Sequence, residues 1–181
     1  MSETGDSAAS DSATAADAAA ASGIPDLLAR VIARLEVAGV KKESLGVMRE
    51  PRKIAIFTSA ALMQPAGSAW RLGVMLLDDA GRLYSTGSVT RAVEPLRGVT
   101  NQSIEAEERR DIRRAAARGS FAEGEVINFS FAPIATDPPS VAAASGALSV
   151  AEGTVMVRLG TDAIVPLEKY LSDRVTLLIG D

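Results

Sequence analysis

The stretch Trp70-Arg71-Leu72-Gly73-Val74-Met75-Leu76-Leu77-Asp78-Asp79-Ala80-Gly81-Arg82-Leu83-Tyr84-Ser85-Thr86-Gly87-Ser88-Val89-Thr90-Arg91-Ala92 decides the fold. Trp70, Leu72, Val74 and Leu76 alternate with Arg71, Gly73, Met75 and Leu77, the period of a strand with two distinct faces. Asp78 to Arg82 then supplies turn chemistry, and Leu83 to Ala92 returns as a second strand, so the segment reads as a β-hairpin. If the turn runs through Asp79-Ala80-Gly81, Gly73 falls opposite Gly87 on one face. Met75, Ser85, Arg71, Val89 and Arg91 flank them. Two facing glycines leave a dip in a sheet, which sheet coiling or a closely packed helix can explain. The functional reading is a shallow ligand-binding pocket of Arg71, Gly73, Gly87 and Arg91, whose guanidinium groups can hold a small anion.

Outward from the hairpin, Ile24, Leu27, Leu28, Val31, Ile32 and Leu35 recur at helical spacing. Pro25 suits the first turn of that helix and Gly39 the residue past its end. After a polar connection through Lys41, Lys42 and Glu43, residues 52–58 read as a strand, with Ile54 and Ile56 two apart. A second helix is expected from Ile104 to Arg118, capped by Asn101 or Ser103, with acids first, arginines later and Gly119 as its stop. Gly124 to Phe131 reads as a strand, Leu148 to Leu159 as a second hairpin turning at Ala151-Glu152-Gly153, Pro166 to Leu171 as a short third helix, and Arg174 to Ile179 as a final strand. Strands in hairpins with helices between them predict a single α+β domain over residues 23–181, built on a mainly antiparallel sheet of about six strands.

Residues 2–22 contain nine alanines with Ser, Thr and Asp but no large apolar side chain, so residues 1–22 are expected to be a disordered tail. The tail carries four acids and no base, leaving 19 acids and 19 bases in the remaining chain. No run of apolar residues is long enough to cross a membrane, and the N-terminus lacks the basic and apolar regions of a signal peptide. A cytoplasmic protein with no membrane partner is the expectation.

The 181 residues include no histidine and no cysteine. The commonest general base, the thiolate nucleophile and the usual zinc ligands are therefore missing. Neither a phosphate-binding loop nor a dinucleotide fingerprint occurs, and no Ser-x-x-Lys or Gly-x-Ser-x-Gly is present. No cofactor and no metal are implied. Carboxylates remain as acid and base groups, yet the adjacent pair Asp78 and Asp79 sits where turns prefer aspartate and would point to opposite faces of a hairpin.

Projecting the second helix at about 100° per residue places Ile104, Glu108, Ile112, Ala115 and Ala116 within an arc of roughly 120°. Glu108 then falls in the apolar stripe. A buried carboxylate needs an arginine partner or a raised pKa, which makes Glu108 the one candidate catalytic acid, with Arg71 and Arg91 as its expected partners. A structural ion pair is the plainer reading. Arg109, Arg110, Arg113, Arg114 and Arg118 take the opposite side of the helix. Glu105, Glu107 and Asp111 interleave with them at ion-pair spacing and no aromatic stacking pattern accompanies them, which weighs against nucleic-acid binding.

Trp70-Arg71-Leu72-Gly73-Val74 with its turn, Gly119-Ser120-Phe121-Ala122-Glu123-Gly124-Glu125, and Val165-Pro166-Leu167 through Tyr170-Leu171 resemble a group of small actinobacterial proteins that are often automatically labelled glutaminase. The resemblance covers about Ile24 to Asp181. Its motifs are structural and bring no catalytic residues with them. The label implies amide hydrolysis, but glutaminases of the serine type use Ser-x-x-Lys and those of the amidotransferase type use cysteine with histidine. The leading expectation is a non-catalytic module that binds a small anionic ligand or a protein partner, and a glutaminase-like amide hydrolase is the alternative.

Overall fold

A computed structural model of the chain describes residues 14–49, 53–54, 57–58, 60–95, 103–144, 146–161 and 163–180. The architecture is α+β and mainly antiparallel, as the patterning predicts. Its contacts group into two compact units, one of Met1–Val40, Leu72–Tyr84 and Pro133–Asp181, the other of Lys41–Arg71 and Ser85–Ala132.

In the first unit, α1 (residues 14–22) leads through Gly23 into α2 (Ile24–Val37). Ile24, Leu28, Val31 and Leu35 are buried at spacings of four, three and four, Pro25 occupies the first turn, and Gly39 follows the end with φ 62°. A long C-terminal helix, α5 (Leu167–Ile179), packs against α2. It replaces both the expected short helix and the expected final strand over Arg174 to Ile179. The reason is that Leu167, Tyr170, Leu171 and Val175 are all buried, and that is helical spacing. The alternation of Val175, Leu177 and Ile179 is incidental, and Leu177 is 71% exposed.

The strands β10 (Leu148–Ala151), β11 (Thr154–Leu159) and β12 (Ala163–Pro166) form an antiparallel sheet under α5. The β10–β11 hairpin closes on Glu152 and Gly153 at φ 50° and 68°, the paired left-handed conformations that a two-residue loop requires. The main-chain N–H of Gly153 donates to Asp17 Oδ1 at 2.8 Å, and Ala21 is 1% exposed. Residues 14–22 are therefore an ordered helix, not a disordered tail. A methyl group needs little room, so alanine lets α1 dock without a large side chain. The first 13 residues lie outside the described part. The unit also holds β5 (Met75–Leu77), the turn at Asp78, the start of β6 (Leu83–Ser85), most of β9 (Ala132–Ile134) and the short helix α4 (Pro138–Ala142).

In the second unit, β1 (Glu43–Arg49) begins at the end of the expected polar connection and runs through sequence to which no element is assigned. Gly46 explains the weak pattern: a Cβ there would lie 2.6 Å from Ile127 Cγ2 and 2.7 Å from Met63 Sδ, so the strand core has no side chain at that point. The expected strand over residues 52–58 is a minimal hairpin of β2 (Lys53–Ile54) and β3 (Phe57–Thr58) among the described residues. β1 pairs antiparallel with β4 (Leu62–Leu72) and parallel with β8 (Val126–Phe129), and β8 pairs antiparallel with β7 (Ser88–Arg91). The return strand expected from Leu83 to Ala92 is thus two strands. Its second half belongs to β8, not to the hairpin.

The last helix of the unit, α3 (Ile104–Ala117), is capped by Ser103, whose hydroxyl accepts from the main chain of Ala106. It lies against β7. Ala115 and Ala116 are fully buried in a cluster with Met63, Ala92, Ile127 and Phe129, with Ile112 packed at its margin. Lys42 sits 4.5 Å from the centroid of the buried Trp70 ring, so the ammonium shields the indole from water. Among the described residues no helix is long and apolar enough to cross a membrane.

Deleting residues 1–22 removes a charge-assisted hydrogen bond and a buried helix face, and should cost about 1.5 kcal/mol, or about 3 to 6 °C in Tm for a chain of this size. Thermal denaturation of the truncated protein checks this. An unchanged Tm would contradict docking of α1.

Candidate functional site

The four arginines of α3 and Arg118 at its C-cap are divided by the 3.6-residue repeat into two ridges. Arg110, Arg114 and Arg118 form one. Arg110 pairs with Glu107 at 3.3 Å, Arg114 with Glu107 at 3.2 Å and Asp111 at 2.8 Å, and Arg118 donates to the Ala61 carbonyl at 3.0 Å. Arg109 and Arg113 form the other, one turn apart and both exposed. Glu105 feels the charge of Arg109, but among the described residues no carboxylate reaches ion-pair distance of Arg109 or Arg113.

Those two guanidinium groups border a cavity of about 630 Å³ along β7. Its apolar wall consists of Val89, Val93, Ile112 and Phe129, and Arg91 adds a third cation. Arg91 Nη1 donates to the Gly124 carbonyl at 3.2 Å, which fixes the side chain and leaves its other donors unspent. Ser88 and Thr90 contribute hydroxyl groups. The volume lies within the usual range for small-ligand pockets, and three cations beside aliphatic side chains fit an anion better than a neutral solute. A second cavity of about 500 Å³, in the other unit, is less suited to an anion. Its cations Arg30 and Lys169 are paired with Glu168 at 3.5 Å and Asp173 at 3.3 Å.

Of the candidate residues read from the sequence, one borders the cavity along β7. Arg91 lines the cavity. Arg71 does not: its Nη1 donates to Asn128 Oδ1 at 2.5 Å, and Asn128 Nδ2 donates to Glu43 Oε2 at 2.7 Å. Asn128 is 1% exposed, so the pair supplies the hydrogen bonds a buried amide demands. Gly73 adopts φ 67°, and a Cβ there would meet the Tyr170 hydroxyl at 2.6 Å. That hydroxyl donates to the Leu72 carbonyl at 2.8 Å and accepts from the Val74 N–H at 3.0 Å, an arrangement that closes the turn before β5. Gly87 instead has the main-chain oxygens of Phe129 and Ser130 where a Cβ would be. Each glycine answers a close approach of its own.

Glu108 is exposed, and the expected pairing with Arg71 or Arg91 does not form. Only the C-terminal half of α3 is packed. Ile104, at 78% exposure, shows that the first turns project beyond the cluster holding Ala115 and Ala116. Besides Arg91, sequence reasoning places Val89 beside its expected pocket, whereas Val93, Arg109, Ile112, Arg113 and Phe129 it assigns to no site. The available signal was the Val89, Arg91, Val93 alternation together with an arginine pair four residues apart.

Asp78 is buried for a structural purpose. Its Oδ1 accepts from the main chain of Ala80 at 3.0 Å and Arg82 at 2.9 Å, and its Oδ2 from Arg82 Nε at 2.7 Å and the Tyr84 hydroxyl at 3.1 Å. Burial pushes the carboxyl upward, but the Arg82 main-chain and side-chain bonds and the Tyr84 bond together hold it below its ordinary value. Among the described residues no group of three or more acidic side chains is placed to hold a metal ion. Comparison with protein-family models, with curated proteins and with solved structures finds no match for the chain.

Because the folded-state pKa of Asp78 is depressed, its ionised form stabilises the fold above the unfolded value of about 4, and this contribution fades as pH falls through the lower folded value. Asp78→Asn should cost about 2 kcal/mol at neutral pH, and the gap to wild type should shrink on acidification. Denaturant titrations at several pH values measure it. Glu108→Ala, in the same assay, should stay within about 0.5 kcal/mol of wild type.

Proposed function

We propose that this chain is a non-catalytic binding module that takes an anionic ligand in the cavity between α3 and β7. The observation that carries the reading is the division of the α3 arginines. Three are engaged by the protein itself, while Arg109 and Arg113 border the same cavity as Arg91 with no carboxylate at ion-pair distance among the described residues. Unpaired like charges gathered at one place repel each other, and an oxyanion bound between them relieves that repulsion while satisfying guanidinium donors in their preferred geometry. Absence of histidine and cysteine from the whole chain supports a binding role over an acyl-transfer role. A glutaminase-like hydrolase would need a nucleophile with a proton acceptor beside it, and among the described residues no carboxylate lines the cavity next to Ser88 and Thr90.

Calorimetric titration with inorganic phosphate should show binding that weakens with added salt, and Arg109→Gln combined with Arg113→Gln should weaken it by about fivefold or more. Both side chains are exposed, so the double variant should keep the wild-type Tm. No binding, or binding indifferent to the double variant, would contradict the proposal. Incubation with glutamine should release no ammonia. Release that disappears on substitution of a single residue of this chain would favour the hydrolase instead.

A further inference from the structure

The anion-binding reading leaves open what carries the negative charge, and the edge of β7 bears on it. β7 is the outermost strand next to β8, with Ser88 opposite Phe129 and Thr90 opposite Ile127. The Ala92 N–H donates to the Glu125 carbonyl, in line with β8. Main-chain groups in an antiparallel ladder alternate in direction, so Ser88, Thr90 and Ala92 point theirs at β8 while Val89 and Arg91 point theirs outward. The Arg91 carbonyl accepts from the Val93 N–H, which leaves the Val89 N–H and C=O and the Arg91 N–H along the outer edge.

Side chains alternate about the same strand. Ser88, Thr90 and Ala92 lie on the face that α3 covers, since Ala92, Ile127 and Phe129 cluster with Ala115 and Ala116. Val89 and Arg91 lie on the opposite face, where Val89 is 48% exposed, and Val93, just past the strand, is 40% exposed. Both faces of β7 line the one cavity, so it runs along the strand edge. Among the described residues, a strand edge with open donors and acceptors, a helix beside it presenting two arginines beyond ion-pair distance of any carboxylate, and the exposed Val89 with Val93 just past the strand form a groove for an extended chain.

We propose, building on the anion-binding reading, that the ligand is an extended acidic peptide that adds to β7 as a further strand. Its acidic side chains turn to the α3 side and meet Arg109 and Arg113. Its apolar side chains turn the other way and cover Val89 and Val93. Main-chain bonds to Val89 and Arg91 set the register, and the alternation of acid with apolar residue sets the specificity.

The probe is a blocked hexapeptide, acetyl-Val-Glu-Val-Glu-Val-Glu-amide, titrated into the full chain by calorimetry alongside inorganic phosphate. The peptide should bind about tenfold or more tightly than phosphate, and phosphate should compete with it. Replacing its glutamates by glutamine should weaken binding about tenfold, as should N-methylation of its central amides, which removes ladder donors and leaves charge unchanged. In the protein, Val89→Pro deletes only an outward-facing N–H, a substitution edge strands tolerate. It should weaken the peptide at least about fivefold more than it weakens phosphate. Should Val89→Pro fail to fold, the N-methylated peptide makes the same test on the wild-type chain. Phosphate binding without tighter peptide binding, or equal binding of the N-methylated peptide, would overturn the strand-addition proposal while the anion site stands. Failure of both phosphate and peptide to bind would overturn the two together.

Discussion

The two-sided pairing of β8 is the constraint on which the rest of the second unit depends. Val126–Phe129 is bonded parallel to β1 on one edge and antiparallel to β7 on the other, so neither neighbour can slip without exposing the buried face of the strand. Asn128, within β8, has its amide held by Arg71 on the oxygen and Glu43 on the nitrogen, which ties the strand to residues of β4 and β1. A one-residue shift would bury an unsatisfied amide and turn Ile127 and Phe129 away from α3. With the register set, Ala115 and Ala116 bring α3 close to the sheet, and the arginines one turn further out fall beside the edge of β7.

Much of this was legible locally. α2, α3 with its Ser103 cap, the β10–β11 hairpin and the β8 strand all follow from apolar period and turn residues, because in each the local preference and the tertiary environment agree. The failures share a cause, which is that information from distant residues decided the outcome. Gly46 interrupts the pattern of β1 because Met63 and Ile127 fill its space, and no local signal announces that. Parallel pairing of β1 with β8 joins residues about eighty positions apart, a connection no hairpin rule produces. Residues 14–22 fold through Asp17 and the turn at Gly153, again across most of the chain. In α5, period two and period 3.6 were both present over Val175 to Ile179, and the buried Tyr170 and Leu171 settled it for the helix.

The same lesson applies to the candidate site. Projecting α3 as an ideal cylinder put Glu108 with the apolar residues, which holds only if the whole helix is packed, and its first turns are not. The arginines were read as one face, yet the positions of Glu107, Asp111 and the Ala61 carbonyl divide them into an engaged ridge and an open one. Charge count says little here. What matters is which charges the fold leaves without a partner beside an exposed apolar surface, because desolvating an arginine that is already neutralised gains little on binding.

Backbone amide spectra recorded during a titration with inorganic phosphate test the central claim most directly. The account predicts shifts that saturate and concentrate on residues 88–93 and 109–113, with Gly73 and its neighbours in the first unit unchanged. Shifts that gather around Arg30 and Lys169, or no saturating shifts at all, would contradict it.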